Sequence, residues 1–364
     1  MSKVSIQIVA WNSLKFLPDC LGSIFQQTYK DFSVLVIDNA SNDGTIEFLR
    51  EKYPQVFVVQ NTRNLGFCGG HNQGFKLTQQ SPYVLVMNPD IILEPDFLEK
   101  TIIAMEKDSK IGAVGGKLLR IQIGDPEIEE KIKTKFIDST GMVIKKTREV
   151  INRGEGEIDR GQYNQAEKVF GISGACVLYR RAALEDVKIT KCDPNTRIHP
   201  NNNSGGRVRV SRVRQLTDER ALFGCEYFDE DFFAYKEDID LAWRMKHRGW
   251  YSLYLPDAVV YHFRQTQAKK GVWQTILNRR QKSKLINYLS YRNHFFVLVK
   301  NEQFKDFFRH FPYIFWYEFK KIIYILLFEQ STLKGLIDAI RKSPKMMRKR
   351  KAILKPKLIE TCRN

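Results

Sequence analysis

Hydrophobic residues in the first third of the chain come in short, nearly unbroken runs: VSIQIVAW (4–11), FSVLVIDN (32–39), VFVVQ (56–60), YVLVMN (83–88) and IGAVGGKLL (111–119). Runs of this length between polar, glycine-bearing segments read as strands buried on both faces. Helical spacing takes over between them. Leu14, Leu17, Leu21, Ile24 and Phe25 mark one face of a helix, with Pro18 tolerable only near its first turn, and TIEFLREKY predicts a second. Such alternation means an α/β fold with a mostly parallel sheet and helices on both faces. Ligands of these sheets sit beyond the carboxyl ends of the strands. The residues just after the strands are Asn12, Asp38 to Gly44, Asn61 to Gly74, and Asn88-Pro89-Asp90.

From 120 to 168 the pattern weakens, although FIDSTGMVI suggests a hairpin. GISGACVLYRRAAL (171–184) predicts a strand followed by a short helix, and 188–225 reads as a flexible insertion. YFDEDFFAYKEDIDLAWRMKHRGW (227–250) opens aromatic and acidic, then turns amphipathic with a helix starting at Glu237. Asp240 and Arg244, four apart, predict a surface salt bridge on that helix. From about Asn278 the chain is helical in character. Phe304, Phe307/Phe308, Phe311 and Ile314/Phe315 form an apolar stripe, followed by FKKIIYILLF and KSPKMMRKRKAILKPK.

Charge sharpens this division. The 364 residues carry a formal +18, yet residues 264–364 hold 24 Lys+Arg against 6 Asp+Glu, leaving 35 of each sign before them. The basicity therefore belongs to one separable C-terminal face. We divide the chain into a domain over 1–263, with the insertion at about 188–225, and a basic amphipathic helical segment over 264–364. An aromatic stripe beside a basic face suits an anionic membrane surface, or packs on the protein with its lysines solvated. Nucleic acid is not the expected partner, because the aromatics form runs instead of interleaving with basic residues. Six scattered cysteines (20, 68, 176, 192, 225, 362) with no C-x-x-C pair fit a reduced compartment. No signal peptide and no spanning run of about eighteen apolar residues is visible. The expected location is cytoplasmic, peripheral at the inner face of the cell membrane.

Each candidate residue has a plain reading beside the chemical one. Asp38 can accept a base N–H or ribose hydroxyl of a nucleotide, or close an Asx-turn at its strand end. Asp43 caps the next helix. Gly66 to Gly74 is a glycine-rich turn entering a helix, suited to a diphosphate, or a flexible turn. It is not a dinucleotide fingerprint, which would follow the first strand. Asp90 could hold Mg²⁺ or Mn²⁺ beside a diphosphate, with Asn88 standing where a second carboxylate would sharpen the signal. His262, in VVYHFRQ, is a further metal ligand or a structural histidine. Glu237 and Asp238 complement the unpaired N–H groups of a helix start, or Asp238 is a general base at the lip of a pocket.

VAWN…LPDCLGSI, VIDNASNDGT, NLGFCGGHNQG, MNPD, SGACVLYRR and FDEDFFAYKEDIDLAWRMKHRGW stand in the order found in family 2 glycosyltransferases. The chain most resembles their bacterial rhamnosyltransferase-like branch, which also often shows the YRNHFFVLVKN pattern at 291–301. The resemblance covers about residues 4–301 apart from the insertion. It implies a GT-A fold with a Rossmann-like sheet, a nucleotide-diphosphate sugar donor, a divalent cation and inversion at the anomeric carbon. It implies dTDP-rhamnose first and UDP-sugars next, with a glycan or lipid-linked precursor of cell-surface glycan as acceptor. Carried over residue by residue, Asp38 resembles the base- or ribose-binding acid, and Asn64 with Gly66, Gly69 and Gly70 resembles the donor loop. Asn12 and Asn88 fall in the same donor-binding set. Asp90 is similar to the metal-binding end of a D-x-D motif, with His262 as a further ligand. Asp238, beside Glu237, matches the base of an E-D motif. Arg244 and Trp250 match the positions closing it and are grouped with the donor-binding residues, for positioning. Asn88 departs from the motif's first carboxylate. Two other readings stay open: a non-catalytic nucleotide-sugar-binding relative, and a sugar nucleotidyltransferase, which should carry a basic glycine loop after strand one.

Overall fold

The protein is described by a computed structural model covering residues 2–123, 131–190, 209–210, 224–263 and 283–354. Most of the 188–225 insertion, Cys192, Cys362 and the last ten residues of the basic tail lie outside the described residues.

Chain order begins with β1 (Val4–Ala10), α1 (Leu17–Phe25), β2 (Phe32–Asp38), α2 (Thr45–Lys52), β3 (Phe57–Gln60), α3 (Gly66–Leu77) and β4 (Tyr83–Met87). These four strands are parallel, with β1 between β2 and β4. Then follow β5 (Ile91–Leu93), α4 (Phe97–Lys107), β6 (Ile111–Ile123), β7 (Lys131–Ser139), β8 (Met142–Ile144), β9 (Val150–Asn152), β10 (Glu167–Val169), β11 (Cys176–Arg180) and α5 (Arg181–Val187). The remainder is β12 (Ile189–Thr190), β13 (Arg209–Val210), β14 (Cys225–Glu226), α6 (Glu237–His247), β15 (Tyr251–Phe263), α7 (Lys284–Asn301), α8 (Phe304–Phe328) and α9 (Gln330–Leu354).

The main sheet runs β10-β15-β6-β11-β4-β1-β2-β3-β13. β11 enters antiparallel to β4 and β6, Cys176 facing Met87, while β6 and β15 are parallel. This reversal brings the residues that precede β11 to the carboxyl edge of β4, where a ligand is expected. The suggested hairpin at FIDSTGMVI does not form. Ile137 and Ser139 of β7 pair with β6, and β8 pairs instead with β9, because the chain turns out of the main sheet at Gly141 (φ 97°).

Apolar side chains of β4 divide between two cores, Leu85 and Met87 joining β1 in one and Val84 and Val86 facing the other. Ile6 and Ile8 pack with Leu17, Leu21, Leu49 and Leu98 of α1, α2 and α4. On the other face, Phe75 of α3, Leu184 of α5 and Leu241 of α6 share a core with Phe296 of α7 and Met346 of α9. A domain boundary after Phe263 therefore cuts through a packed core: α7 and α9 belong to the unit that carries the site. α8 differs, since Phe308 is 72% exposed and Phe304, Phe315, Trp316 and Leu327 are also open to solvent.

Candidate active site

The carboxyl ends of β1 and β2 form one wall. Asp38 closes β2 fully buried; one oxygen accepts the Ser41 N–H at 3.2 Å, and Oδ1 has no hydrogen-bond partner among the described residues. A buried acceptor without a donor is costly unless a ligand satisfies it. Asn12, in a left-handed conformation (φ 51°), accepts the Asn42 N–H at 2.9 Å and donates its own N–H to Ser41 Oγ at 2.9 Å. It thereby ties the β1 loop to the β2 loop. Asp43 accepts from Leu14 N–H at 2.9 Å and Thr45 Oγ1 at 2.7 Å, a structural cap.

The glycine run is a helix and not a turn entering one. α3 starts at Gly66, whose N–H is taken by Asn64 Oδ1 at 2.8 Å, and the Cys68 N–H is taken by the Phe233 carbonyl at 3.1 Å. Two donors of the first turn are thus engaged within the protein. Gly69 and Gly70 lie inside the helix, where a Cβ on Gly70 would stand 2.8 Å from Val9 Cγ2 and one on Gly69 2.9 Å from Leu65 Cβ. Their physical role is close packing on β1 and on their own helix start. A sequence pattern of glycines reports backbone approach without saying what approaches.

Asp90, just beyond β4, has a buried Oδ1 with no partner among the described residues, while Oδ2 lies 3.3 Å from His262 Nε2. His262 Nδ1 lies 2.9 Å from Asp138 Oδ2, and Asp138 pairs with Arg120 at 3.4 Å. Burial alone would lower the imidazole pKa, but Asp138 and Asp90 outweigh it and raise it to about 9. A carboxylate with a free oxygen, facing a histidine oriented from behind by a second carboxylate, is a donor set that fits a divalent cation. Among the described residues no three His, Cys, Asp or Glu side chains converge as a complete cage. Asn88, where the first motif carboxylate would be, anchors the strand end by donating its N–H to the Ala175 carbonyl at 2.9 Å.

That bond leads directly to the third group. Gly174, next to Ala175, donates its N–H to Asp238 Oδ2 at 2.9 Å, and Asp238 Oδ1 accepts the Ile239 N–H at 2.8 Å. Asp238 is half-buried at the start of α6. Burial raises its carboxyl pKa, against the lowering effect of these two hydrogen bonds. Glu237 is buried, with Oε2 unpartnered among the described residues; burial and the neighbouring Asp238 charge raise its pKa well above the usual carboxylate range. Two adjacent acids whose pKa values burial raises, at the sheet edge, are groups suited to accepting a proton from a hydroxyl.

Two residues grouped with the donor site are elsewhere. Arg244 is 1% exposed; its guanidinium binds Asp240 Oδ2 (2.9 Å) and the carbonyls of Val187 (2.5 Å) and Tyr227 (2.6 Å). The expected surface salt bridge is a buried clamp. Trp250 follows the far end of α6, its indole N–H on Asp186 at 2.9 Å, beside Gly112 at the opposite sheet edge. A helix of eleven residues rises about 16 Å, so Trp250 cannot reach a ligand beside Asp238.

Sequence reasoning passed over Gly174, Asp138 and Asn72. Asn72, inside α3, receives the N–H groups of Tyr227 and Phe228 at 3.0 Å each and donates to the Phe228 carbonyl at 2.8 Å. It registers the acidic stretch on α3. An asparagine between glycines was a signal, but its partner lies 155 residues away. Lys300, fully buried, pairs with Asp229 at 2.6 Å and Asp240 at 2.8 Å.

A family-level sequence model, glycosyl transferase family 2, matches residues 5–188. The chain is 25% identical over 253 residues to an N-acetylglucosaminyl-diphospho-decaprenol L-rhamnosyltransferase of Mycobacterium tuberculosis, covering 66% of this chain and 70% of that protein. It is 32% identical over 115 residues to the chondroitin synthase of Escherichia coli, 30% of this chain and 16% of that one. Among solved structures, S. aureus TarS 1-349 superimposes with a TM-score of 0.51 at 13% identity, over 97% of this chain and 90% of that one. GalNAc-T7 with UDP, GalNAc and Mn²⁺ does so at 0.54 and 13%, over 85% and 50%. Half of the chain lies within the matched family region, and the fold is the GT-A fold; the chain is a glycosyltransferase and belongs to glycosyl transferase family 2.

Proposed function

We propose that this transferase inverts the anomeric carbon as it moves a sugar, rhamnose first, from a dTDP- or UDP-linked donor to a hydroxyl of a glycan or lipid-linked acceptor. The observation that carries the reading is the link from Asn88 through Ala175 and Gly174 to Asp238. It gathers Asp90 and the acid pair at the carboxyl edge of the sheet, the edge at which β2 ends in Asp38 with its orphaned oxygen. The mycobacterial relative, named for rhamnosyl transfer to a diphospho-decaprenol-linked acceptor, supports the sugar and acceptor class.

Asp38 would receive a donor N–H or hydroxyl of the nucleoside, and Asn12 would hold the loop over it. Asp90 and His262 would hold Mg²⁺ or Mn²⁺, which when bound neutralises charge on the leaving diphosphate. The Mn²⁺ and UDP named with GalNAc-T7 support that choice. Asp238 takes the proton of the acceptor hydroxyl as the oxygen attacks C1, the C1–O bond to the diphosphate breaks, and the new glycosidic bond forms on the opposite face. Its two backbone hydrogen bonds fix the carboxylate in direction, so orientation contributes much of the acceleration.

α8 supports a peripheral place on an anionic membrane. Half-buried Phe307 and exposed Phe311, Phe315 and Phe319 form a ladder of rings, with Phe307–Phe311, Phe311–Phe315 and Phe315–Phe319 centroids 5.6, 5.8 and 5.9 Å apart. Lys305, Arg309 and Lys320 lie on the same helix. Among the described residues no helix is long and apolar enough to cross a membrane. The lysines of α9 are partly committed inward, Lys345 to Asp231 and Lys349 to Glu226, Asp229 and Asp231, so α8 and not α9 supplies the docking face.

Melting of the purified chain against dTDP, UDP, GDP and CDP, each with Mn²⁺ or EDTA, tests the donor class. Saturating ligand at about a thousand times Kd adds roughly 4 kcal/mol. Metal-dependent stabilisation by one pyrimidine diphosphate, followed by its release from the matching nucleotide sugar, is expected. Folded protein that responds to none would favour a relative that has lost catalysis. Sedimentation with phosphatidylglycerol vesicles, lost in a Phe308→Ser/Phe315→Ser variant, is the expected result for docking; equal binding by that variant would remove α8 from the reading.

A further inference from the structure

We infer that Asn293 of α7 is a positioning residue for the Glu237–Asp238 pair, setting where the base stands by holding the carbonyls of the turn before it. The inference rests on Asp238 acting as base. The segment from Asp231 to Lys236 has an unusual backbone: Phe233, Tyr235 and Lys236 have φ of 65°, 70° and 70°. None is glycine, and side chains of this kind disfavour such angles, so the conformation persists only if its surroundings over-determine it.

Those surroundings are supplied mainly by one side chain. Asn293 is completely buried, and the two hydrogens of its Nδ2 face three carbonyls, those of Ala234 and Tyr235 at 2.8 Å and that of Phe232 at 3.0 Å, which they share. Its Oδ1 accepts Arg292 Nε at 3.0 Å, which holds the amide in this flip, while Arg292 Nη2 takes the carbonyls of Asp231 and Phe232 at 2.8 and 3.1 Å. The two remaining carbonyls are used by the elements on either side: Phe233 accepts from Cys68 of α3 and Lys236 accepts the Asp240 N–H of α6. Every carbonyl from Asp231 to Lys236 is thus bonded, and α7 supplies the donors for four of the six. Glu237 follows immediately. A shift in this turn rotates the first turn of α6 and moves Asp238 away from the Gly174 N–H that aims it.

Asn293 has no exposed surface and its polar atoms are spent on the turn and on Arg292, so its loss separates positioning from binding. Asn293→Asp keeps the shape but replaces the donor with an acceptor facing three carbonyls; Asn293→Ser is the milder second variant should the first not fold. Turnover would be followed as nucleoside diphosphate release from dTDP-rhamnose and UDP-sugars, affinity by calorimetry with dTDP and UDP, and local order by hydrogen exchange at the Asp240 and Cys68 amides. We expect kcat to fall about a hundredfold, as a misplacement near 1 Å does. Nucleotide affinity should stay within about threefold, because those contacts are untouched, and both amides should exchange faster. Equal losses in kcat and affinity, or a lowered Tm with kcat preserved, would make Asn293 merely structural. Unchanged exchange at both amides overturns the positioning role whatever the activity. A wild-type chain that turns over no nucleotide sugar overturns the transferase mechanism itself, and with it any catalytic consequence of Asn293.

Discussion

Asp238 accepts the Gly174 N–H at 2.9 Å, and Gly174 precedes a strand that runs antiparallel to β4. The base candidate is therefore aimed by the sheet edge, not by its own helix alone. Asp238→Asn preserves size but removes the basic oxygen. Transfer should drop by about 10² to 10⁴, with nucleotide affinity kept, as read by product release beside calorimetry. Retained turnover would move the base to Glu237.

The pH dependence has a defined sign. Burial raises the Asp238 pKa, and burial with the Asp238 charge raises that of Glu237. A base works only above its pKa, so the acid limb of kcat should lie above the pH of about 4 typical of a free carboxylate. The same shift means the folded state binds protons more tightly than the unfolded one. Stability from these two groups is therefore present at low pH and lost as pH rises through their folded values. Glu237→Gln should melt higher than wild type at pH 8, with the gap closing in acid. An acid limb at pH 4 or below would refute the assignment.

Asp138 should matter to a bound cation without touching it. Its Oδ2, 2.9 Å from His262 Nδ1, fixes the ring so that Nε2 faces Asp90. Asp138→Asn is expected to weaken Mn²⁺ affinity about 10- to 100-fold, measured by calorimetry in the presence of UDP or dTDP. Unchanged affinity would separate His262 from the metal.

Lys300 stands between Asp229 and Asp240 with no exposed surface. Lys300→Met leaves two buried carboxylates short of a cation and should cost about 3–5 kcal/mol in urea unfolding. Asp229 and Asp240 have depressed pKa values: burial opposes this, but the Lys300 charge acts on both, with Lys349 aiding Asp229 and Arg244 aiding Asp240. Their stabilisation is present above the unfolded carboxylate pKa and lost as pH falls through the folded values. The difference between variant and wild type should accordingly shrink in acid.

Gly70→Ala tests the packing role of the glycine run. A Cβ would stand 2.8 and 2.9 Å from the Val9 methyls, so a loss of about 1–3 kcal/mol is expected from overpacking. If instead stability is unchanged and nucleotide affinity falls, the glycine serves the donor.

What the chain alone determined is what local pattern encodes. Unbroken runs such as YVLVM announce a strand buried on both faces, the spacing of Leu17, Leu21 and Ile24 announces α1, and six ordered motifs announce the family. Asp38, Asp90 and Asp238 stand out as candidates in the sequence because each lies at the end of a strand or opens a helix. Only the tertiary structure decided which polar groups are spent on the protein. Arg244 reads as a surface partner of Asp240 because helix spacing reveals neighbours but not burial; the Val187 and Tyr227 carbonyls that enclose it lie 57 and 17 residues away. The glycines of α3 read as a ligand loop because a missing Cβ looks the same whether Val9 or a phosphate fills the space. The division after Phe263 followed charge, a property of surfaces. Lys300 and Asn293 are polar residues whose partners are acids and carbonyls of the 227–250 stretch, so the core they complete has no signature in hydrophobic periodicity.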